Sequence, residues 1–172
     1  IRAYPWSTLV SCGALVIVGY LFYGSYDVLG RHYTQHGLSR LQSLGIACVS
    51  YAFNLSLGPL IGGAGFRFRL YSRFGLDNAT IGRVLAFSIV TNWLGYMLLA
   101  GALFVSGAVR LPSSWLLGGA VLPVVGFAML AIVAAYLVQC ARHPGRTLRI
   151  RRVEMELPSI RLALLQLTAA TG

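Results

Sequence analysis

The chain has 172 residues, 57% of them hydrophobic and 10% charged, with a mean hydropathy of +0.73. An ordinary soluble domain carries about 25% charged residues, so a water-soluble globular fold is excluded and an integral membrane protein is indicated. The formal charge of +10 is carried by arginine alone, set against Asp27, Asp77, Glu154 and Glu156. Because these arginines lie between apolar runs of membrane length, they read as determinants of orientation and not as a nucleic-acid footprint.

Four runs approach the roughly 20 apolar residues that a bilayer crossing needs. The first, 6–26, closes in the aromatic-rich stretch YLFYGSYD, whose Tyr20, Tyr23 and Tyr26, with Trp6 at the other end, suit membrane interfaces. Asp27 ends this run. An acid beside a membrane either pairs, serves function or acts as an interfacial cap, and the sequence leaves these open. His32 and His36 follow with i, i+4 spacing but without an acidic or cysteine partner, so no metal site is expected. Cys12, Cys48 and Cys140 have no CxxC spacing and read as small buried hydrophobes.

The second run, 43–66 (YAFNLSLGPLIGGAGF at its close), is irregular. Pro59 removes a backbone donor, and Gly58, Gly62, Gly63 and Gly65 lower helix propensity around it. The helix is expected to break at 58–65, as a discontinuous helix or a re-entrant turn. In hydrocarbon an unsatisfied N–H or C=O costs several kcal/mol, so the break must be buried in protein or line a watered cavity. Asn54 can meet part of that demand. Broken helices of this kind mark substrate sites in transporters.

Three arginines follow at once. Arg69 and Arg73 share a helical face, with Arg67 on a neighbouring one. The guanidinium fork matches phosphate oxygens, and Phe66, Phe68, Tyr71 and Phe74 suit the boundary between headgroups and acyl chains. The candidate lipid-binding residues are therefore Arg67, Arg69, Arg73, Asn54, Asp27, Tyr71, Gly62, Gly63 and Gly65. The opposing reading is that the glycines allow close packing, with Gly58 and Gly62 as a small-xxx-small pair, while the arginines only set orientation.

The third run, 81–105, carries Asn92 mid-membrane as a candidate for hydrogen bonding between helices. The fourth, 115–140, contains Pro123. The basic stretch RHPGRTLRIRR comes next, and LPSIRLALLQL opens a segment at 157–172 that is too short to cross. If all four runs cross, eleven arginines fall on one side and three on the other; if the second re-enters, the split is twelve to two. Both put Arg67, Arg69, Arg73 and the 142–152 loop on the cytoplasmic side.

The expected architecture is all-α: one polytopic helical membrane domain, 1–172, that is part of a longer chain, since it starts at Ile1 and stops within an apolar run. No nucleophile, base and orienter group together and no Walker or Rossmann glycine pattern appears, so neither catalysis nor a cofactor is expected.

The succession YDVLGRHY (26–33), SYAFNLSLGPLIGGAGFRFRLYSRFGL (50–76) and LPSIRLALLQL (157–167) resembles the lysylphosphatidylglycerol synthase transmembrane family. This family includes the flippase portion of the multiple peptide resistance factors and stand-alone bacterial inner-membrane relatives, and the chain looks closer to the latter. The matching positions are Tyr26, Asp27, Asn54, Gly62, Gly63, Gly65, Arg67, Arg69, Tyr71 and Gly75. The resemblance implies a multi-pass protein of the bacterial cytoplasmic membrane that binds, and translocates, anionic or aminoacylated phosphatidylglycerol-type lipids. Its alternatives are a non-transporting scaffold for a phospholipid-synthesising enzyme, or the membrane half of a fused aminoacyl-phosphatidylglycerol synthase.

Overall fold

A computed structural model describes residues 5–109, 121–150 and 153–171. The chain divides into two units, Ile1–Ala86 and Phe87–Gly172. Apart from one short β-hairpin, every element in them is helical.

The first unit opens with α1, Trp6–Thr34, which runs eight residues past the apolar stretch foreseen for it. It stops at Gln35, which turns left-handed (φ 53) and donates its N–H to the Arg31 carbonyl. Ser39 and Gln42 then form a reciprocal capping box: Ser39 Oγ accepts from the Gln42 N–H at 3.1 Å, and Gln42 Oε1 from the Ser39 N–H at 2.8 Å. This box starts α2, Arg40–Gly58. Gly24 lets α1 and α2 close, because a Cβ there would lie 2.4 Å from Leu44 Cδ1.

At Gly58 the backbone takes φ 81, ψ 171, a conformation essentially confined to glycine. The chain reverses. A π-helical turn over Pro59–Gly65 leads into α3, Phe66–Arg73. The proof of reversal is that the Phe53 and Phe66 rings stack with centroids 4.0 Å apart, whereas a straight helix would hold their Cα atoms about 20 Å apart. Ile46 and Tyr71, farther from the bend, share a buried cluster with Leu38, Ile81 and Val84. Length and composition alone allow Arg40–Arg73 to cross as one 34-residue span. The packing instead makes it a helical hairpin whose two arms lie side by side, which bears out the expected break of the helix at 58–65.

A Schellman stop ends α3: Gly75 (φ 84) donates to the Ser72 carbonyl at 3.0 Å, and Leu76 donates to that of Tyr71 at 3.2 Å. Asp77 then caps α4, Asn78–Val105, accepting from the Thr80 N–H at 3.0 Å and the Thr80 hydroxyl at 2.7 Å. These bonds hold the Asp77 carboxyl below the usual carboxylate range.

The second unit contains the rest of α4, then α5, Val121–Arg142, a hairpin of β1 (Thr147–Ile150) and β2 (Val153–Glu156), and α6, Ile160–Thr171. Positions 115–120 of the fourth predicted run lie outside the described residues. The strands pair antiparallel, Arg149 opposite Glu154, within what reads in sequence as a basic loop. Gly101 and Gly126 bring α4 and α5 together, a Cβ on Gly126 lying 2.8 Å from the Gly101 carbonyl oxygen, and Gly95 admits the Ala170 backbone of α6.

A polar clasp ties these three helices. Gln166 of α6, fully buried, donates to Thr91 Oγ1 of α4 at 2.8 Å and accepts from the Tyr136 hydroxyl of α5 at 2.6 Å. Thr91, and not the half-buried Asn92 beside it, is thus the residue that bonds across. Hydrogen bonds between membrane helices average about 0.6 kcal/mol with a ceiling near 1.7. Gln166→Leu is accordingly expected to destabilise the folded protein by at most about 2 kcal/mol in detergent unfolding. A larger loss would mean that the clasp organises the unit and does not merely decorate it.

The outward faces, including Leu15, Ile17, Leu60, Ile61, Val124 and Phe127, are exposed and apolar, as lipid-facing surface must be. Cys12 is among the exposed residues, against expectation; Cys48 is half-buried and Cys140 buried.

Candidate functional site

The candidate site lies in the first unit, where the hairpin folds against α1. Asp27 projects from α1 two turns before its end and is 0% exposed; Arg67, at the start of α3, is 4% exposed. Arg67 Nη2 stands 3.3 Å from Asp27 Oδ1. Tyr71, one turn beyond Arg67 on the same face, donates its hydroxyl to the other oxygen, Oδ2, at 2.9 Å. The guanidinium carbon also sits 4.9 Å from the centroid of the Tyr23 ring, within cation–π range, and that ring stacks on Tyr51 at 4.1 Å.

This is a buried, charge-neutral pair inside a membrane segment. Desolvation offsets much of the Coulombic attraction of such pairs, so they are weak evidence for stability and are retained in membranes chiefly at functional sites. The arginine is also not fully used. Its 3.3 Å approach to Asp27 is a charge contact without hydrogen-bond alignment, and neither Nε nor Nη2 makes a hydrogen bond. Ser43 Oγ, Ser50 Oγ and Asn54 Oδ1 are likewise buried without a hydrogen-bond partner. Their spacings of seven and four residues put all three on one face of α2.

His36 covers the end of the site nearest the loop. Its Nδ1 accepts from the Leu38 N–H at 3.4 Å, its ring meets Tyr71 edge-on at 5.8 Å, and its Nε2 is buried without a hydrogen-bond partner. Arg31 Nε donates to the Leu38 carbonyl beside it. Burial, and secondarily the Arg31 charge, hold the His36 imidazole below its ordinary range, so it is neutral at neutral pH.

The residues singled out in the sequence separate into three groups. Asp27, Arg67 and Tyr71 converge. Asn54, Gly62 and Gly63 lie deeper, at the bend. A Cβ on Gly62 would fall 2.0 Å from the Phe53 carbonyl oxygen and one on Gly63 3.1 Å from Asn54 Oδ1, so both glycines serve close approach of the two hairpin arms; Gly65 has the Leu60 carbonyl oxygen at 3.3 Å. Arg69 and Arg73 are exposed on the far side of α3 from Arg67. Arg67 and Arg69 therefore do not form one fork. Tyr23, Ser43, Ser50 and His36 went unrecognised as members of the site; the i, i+7, i+11 recurrence of small polar residues on an otherwise apolar helix was the available signal. Among the described residues no group of three His, Cys, Asp or Glu is placed to hold a metal ion.

Membrane-length helices, a bent intramembrane hairpin and a buried ion pair define a polytopic helical membrane protein. The chain is similar to "Inner membrane protein YbhN" of Escherichia coli (strain K12), 45% identical over 167 residues, which are 97% of this chain and 52% of that protein. It is also similar to "Uncharacterized protein slr0712" of a Synechocystis species, 30% identical over 131 residues, covering 76% of this chain and 41% of that protein. The chain thus spans about half the length of the curated relatives it matches. No family model matches it.

Proposed function

We propose that this chain is the lipid-handling part of a bacterial inner-membrane protein of the lysylphosphatidylglycerol synthase transmembrane type. It binds the phosphate of an anionic or aminoacylated phosphatidylglycerol-type lipid and passes that headgroup between leaflets. The observation that carries this reading is Arg67: a cation buried within the membrane segment, with donors left over, beside a glycine-lined bend whose backbone is out of regular α-helical register. Arg69 and Arg73, exposed at the end of the hairpin, are suited to capturing a headgroup before it reaches Arg67. The positive-inside rule assigns the arginine-rich stretch that holds Arg67, Arg69 and Arg73 to the cytoplasmic side. The role is transport and not catalysis. The inner-membrane name of the Escherichia coli relative supports the location.

The test compares wild type, Arg69→Lys and Arg69→Ala of the full-length protein in vesicles carrying a labelled phosphatidylglycerol, at matched insertion. A charge-assisted hydrogen bond is worth about 1.5–3 kcal/mol, or roughly ten- to a hundredfold in affinity. Lysine keeps the charge and loses the fork, so Lys is expected to be impaired and Ala more so. Equal binding and translocation by all three would reduce Arg69 to a topology signal. Lipid binding without translocation would favour the alternative, a scaffold for a phospholipid-synthesising enzyme.

A further inference from the structure

The following inference rests on the reading that a phospholipid headgroup reaches Arg67, and it concerns which part of that headgroup the hairpin recognises. Two contacts fix the register between the hairpin arms. A Cβ placed on Gly63 would lie 3.1 Å from Asn54 Oδ1, and nearer the loop Ile46 shares a buried cluster with Tyr71. One helical turn from the first contact on each arm, towards the second, stand Ser50 and Arg67. These two therefore fall level with each other, with Asn54 one turn deeper. Tyr23 covers the guanidinium from α1, its ring stacked on that of Tyr51.

Three buried polar atoms without a hydrogen-bond partner gather here: Ser50 Oγ, Asn54 Oδ1 and Arg67 Nε. Ser50 and Arg67 are buried, whereas Asn54 is half-buried, so its side chain leads from the edge of the hairpin to the other two. Their hydrogen-bonding characters differ: the guanidinium Nε–H only donates, the amide oxygen only accepts, and the serine hydroxyl does both. A phosphate oxygen only accepts, and would leave Asn54 Oδ1 facing another acceptor. An ammonium group only donates; it would leave Nε–H unmatched and set a cation beside a cation. Leaving such a buried group unmatched costs more than an ordinary hydrogen bond contributes. A hydroxyl has one donor and two lone pairs, and it answers all three atoms at once.

We propose that Ser50, Asn54 and Arg67 Nε form a subsite between the hairpin arms for a hydroxyl group that the headgroup carries beside its phosphate. The ligand class is a polyol phosphate ester. Its hydroxyl accepts from Arg67 Nε–H and from Ser50, and donates to Asn54 Oδ1. The subsite does not read the phosphate charge, so it separates lipids that the exposed Arg69 and Arg73 treat alike. Headgroups that end in an ammonium or a plain alkyl group find no match in it.

The experiment titrates short-chain phosphatidylglycerol and phosphatidylpropanol, which carry the same charge and differ only in the headgroup hydroxyls, into the full-length protein in detergent. Phosphatidylethanolamine and free glycerol phosphate are titrated beside them. A neutral hydrogen bond is worth about two- to tenfold in affinity, so wild type is expected to prefer phosphatidylglycerol to phosphatidylpropanol by about tenfold or more. Ser50→Ala and, separately, Asn54→Leu should each remove most of that preference, a change of ratio that a loss of folded protein does not produce. Equal affinity of wild type for the two lipids would mean that the subsite holds water only; it overturns the inference and leaves the phosphate reading intact. A preference that both variants retain, or tighter binding of phosphatidylethanolamine, has the same consequence. Binding of free glycerol phosphate that Ser50→Ala weakens, with no binding of any lipid, keeps the subsite and overturns the lipid reading. If nothing binds, both fail.

Discussion

Arg67→Ala should cost about 3–5 kcal/mol of stability, the range for removing one partner from a buried ion pair. The loss arises less from the contact than from what remains: an Asp27 carboxylate, 0% exposed, that has lost the Arg67 guanidinium. The companion is the double variant Asp27→Leu with Arg67→Met, which removes both charges and fills their volume with apolar groups. Such replacements of whole pairs are commonly neutral or stabilising, so the double variant should recover most of the stability and none of the phosphate binding. Unfolding in denaturing detergent measures the first, and lipid titration the second. If the double variant is as unstable as Arg67→Ala, the pair holds the hairpin against α1 for structural reasons and is no mark of a ligand site.

The second large effect is expected at Gly62. An added methyl would stand 2.0 Å from the Phe53 carbonyl oxygen and 2.5 Å from the Asn54 nitrogen, both backbone atoms that cannot rotate away. Overpacking costs typically 1–3 kcal/mol where neighbours can adjust, so Gly62→Ala should reach about 3 kcal/mol or more by forcing the arms apart. Its neighbour makes the control. At Gly63 the nearest atom is Asn54 Oδ1, at 3.1 Å on a side chain free to swing, and Gly63→Ala should cost about 1 kcal/mol or less. Cysteines at positions 53 and 66, whose rings now stack, report the geometry directly. Crosslinking should be lost with Gly62→Ala and kept with Gly63→Ala; equal crosslinking in both would mean the bend tolerates a separation that these distances forbid.

The parts of this structure legible in the sequence are those fixed by local chemistry. Apolar length announced the helices, and Pro59 among four glycines announced a break within 58–65. What stayed hidden depends on which way the chain turns after the break. Pro59 and the glycines say that a helix is interrupted; they do not say that Gly58 takes φ 81 and sends Phe66 back to Phe53. Once that reversal is known, the i, i+4 pair Arg67 and Tyr71 must face α1, and Arg69 and Arg73 must face away. Read without it, three arginines in seven residues look like one cluster. The Gln166 clasp was illegible for a similar reason: its partners are 75 and 30 residues away, and the three residues give no periodic signal. The β-hairpin, in turn, was masked by a charge density that reads as loop.

The reversal at Gly58 also bears on how the chain enters a membrane during synthesis. An arginine carried to the middle of a bilayer costs roughly 2.5–3.5 kcal/mol on the insertion scale, and one translocated fully must shed and regain its water on the way. If, as proposed, both arms of the hairpin open to the cytoplasmic face, this is asked of neither Arg69 nor Arg73. The leading tip, LGPLIGGAG, carries no charge at all. Arg67 alone must travel inward, and α1, made first, already holds Asp27 in place to receive it. The order in which the segments emerge thus supplies each buried charge with its counter-ion before the membrane can exact the penalty for an isolated one.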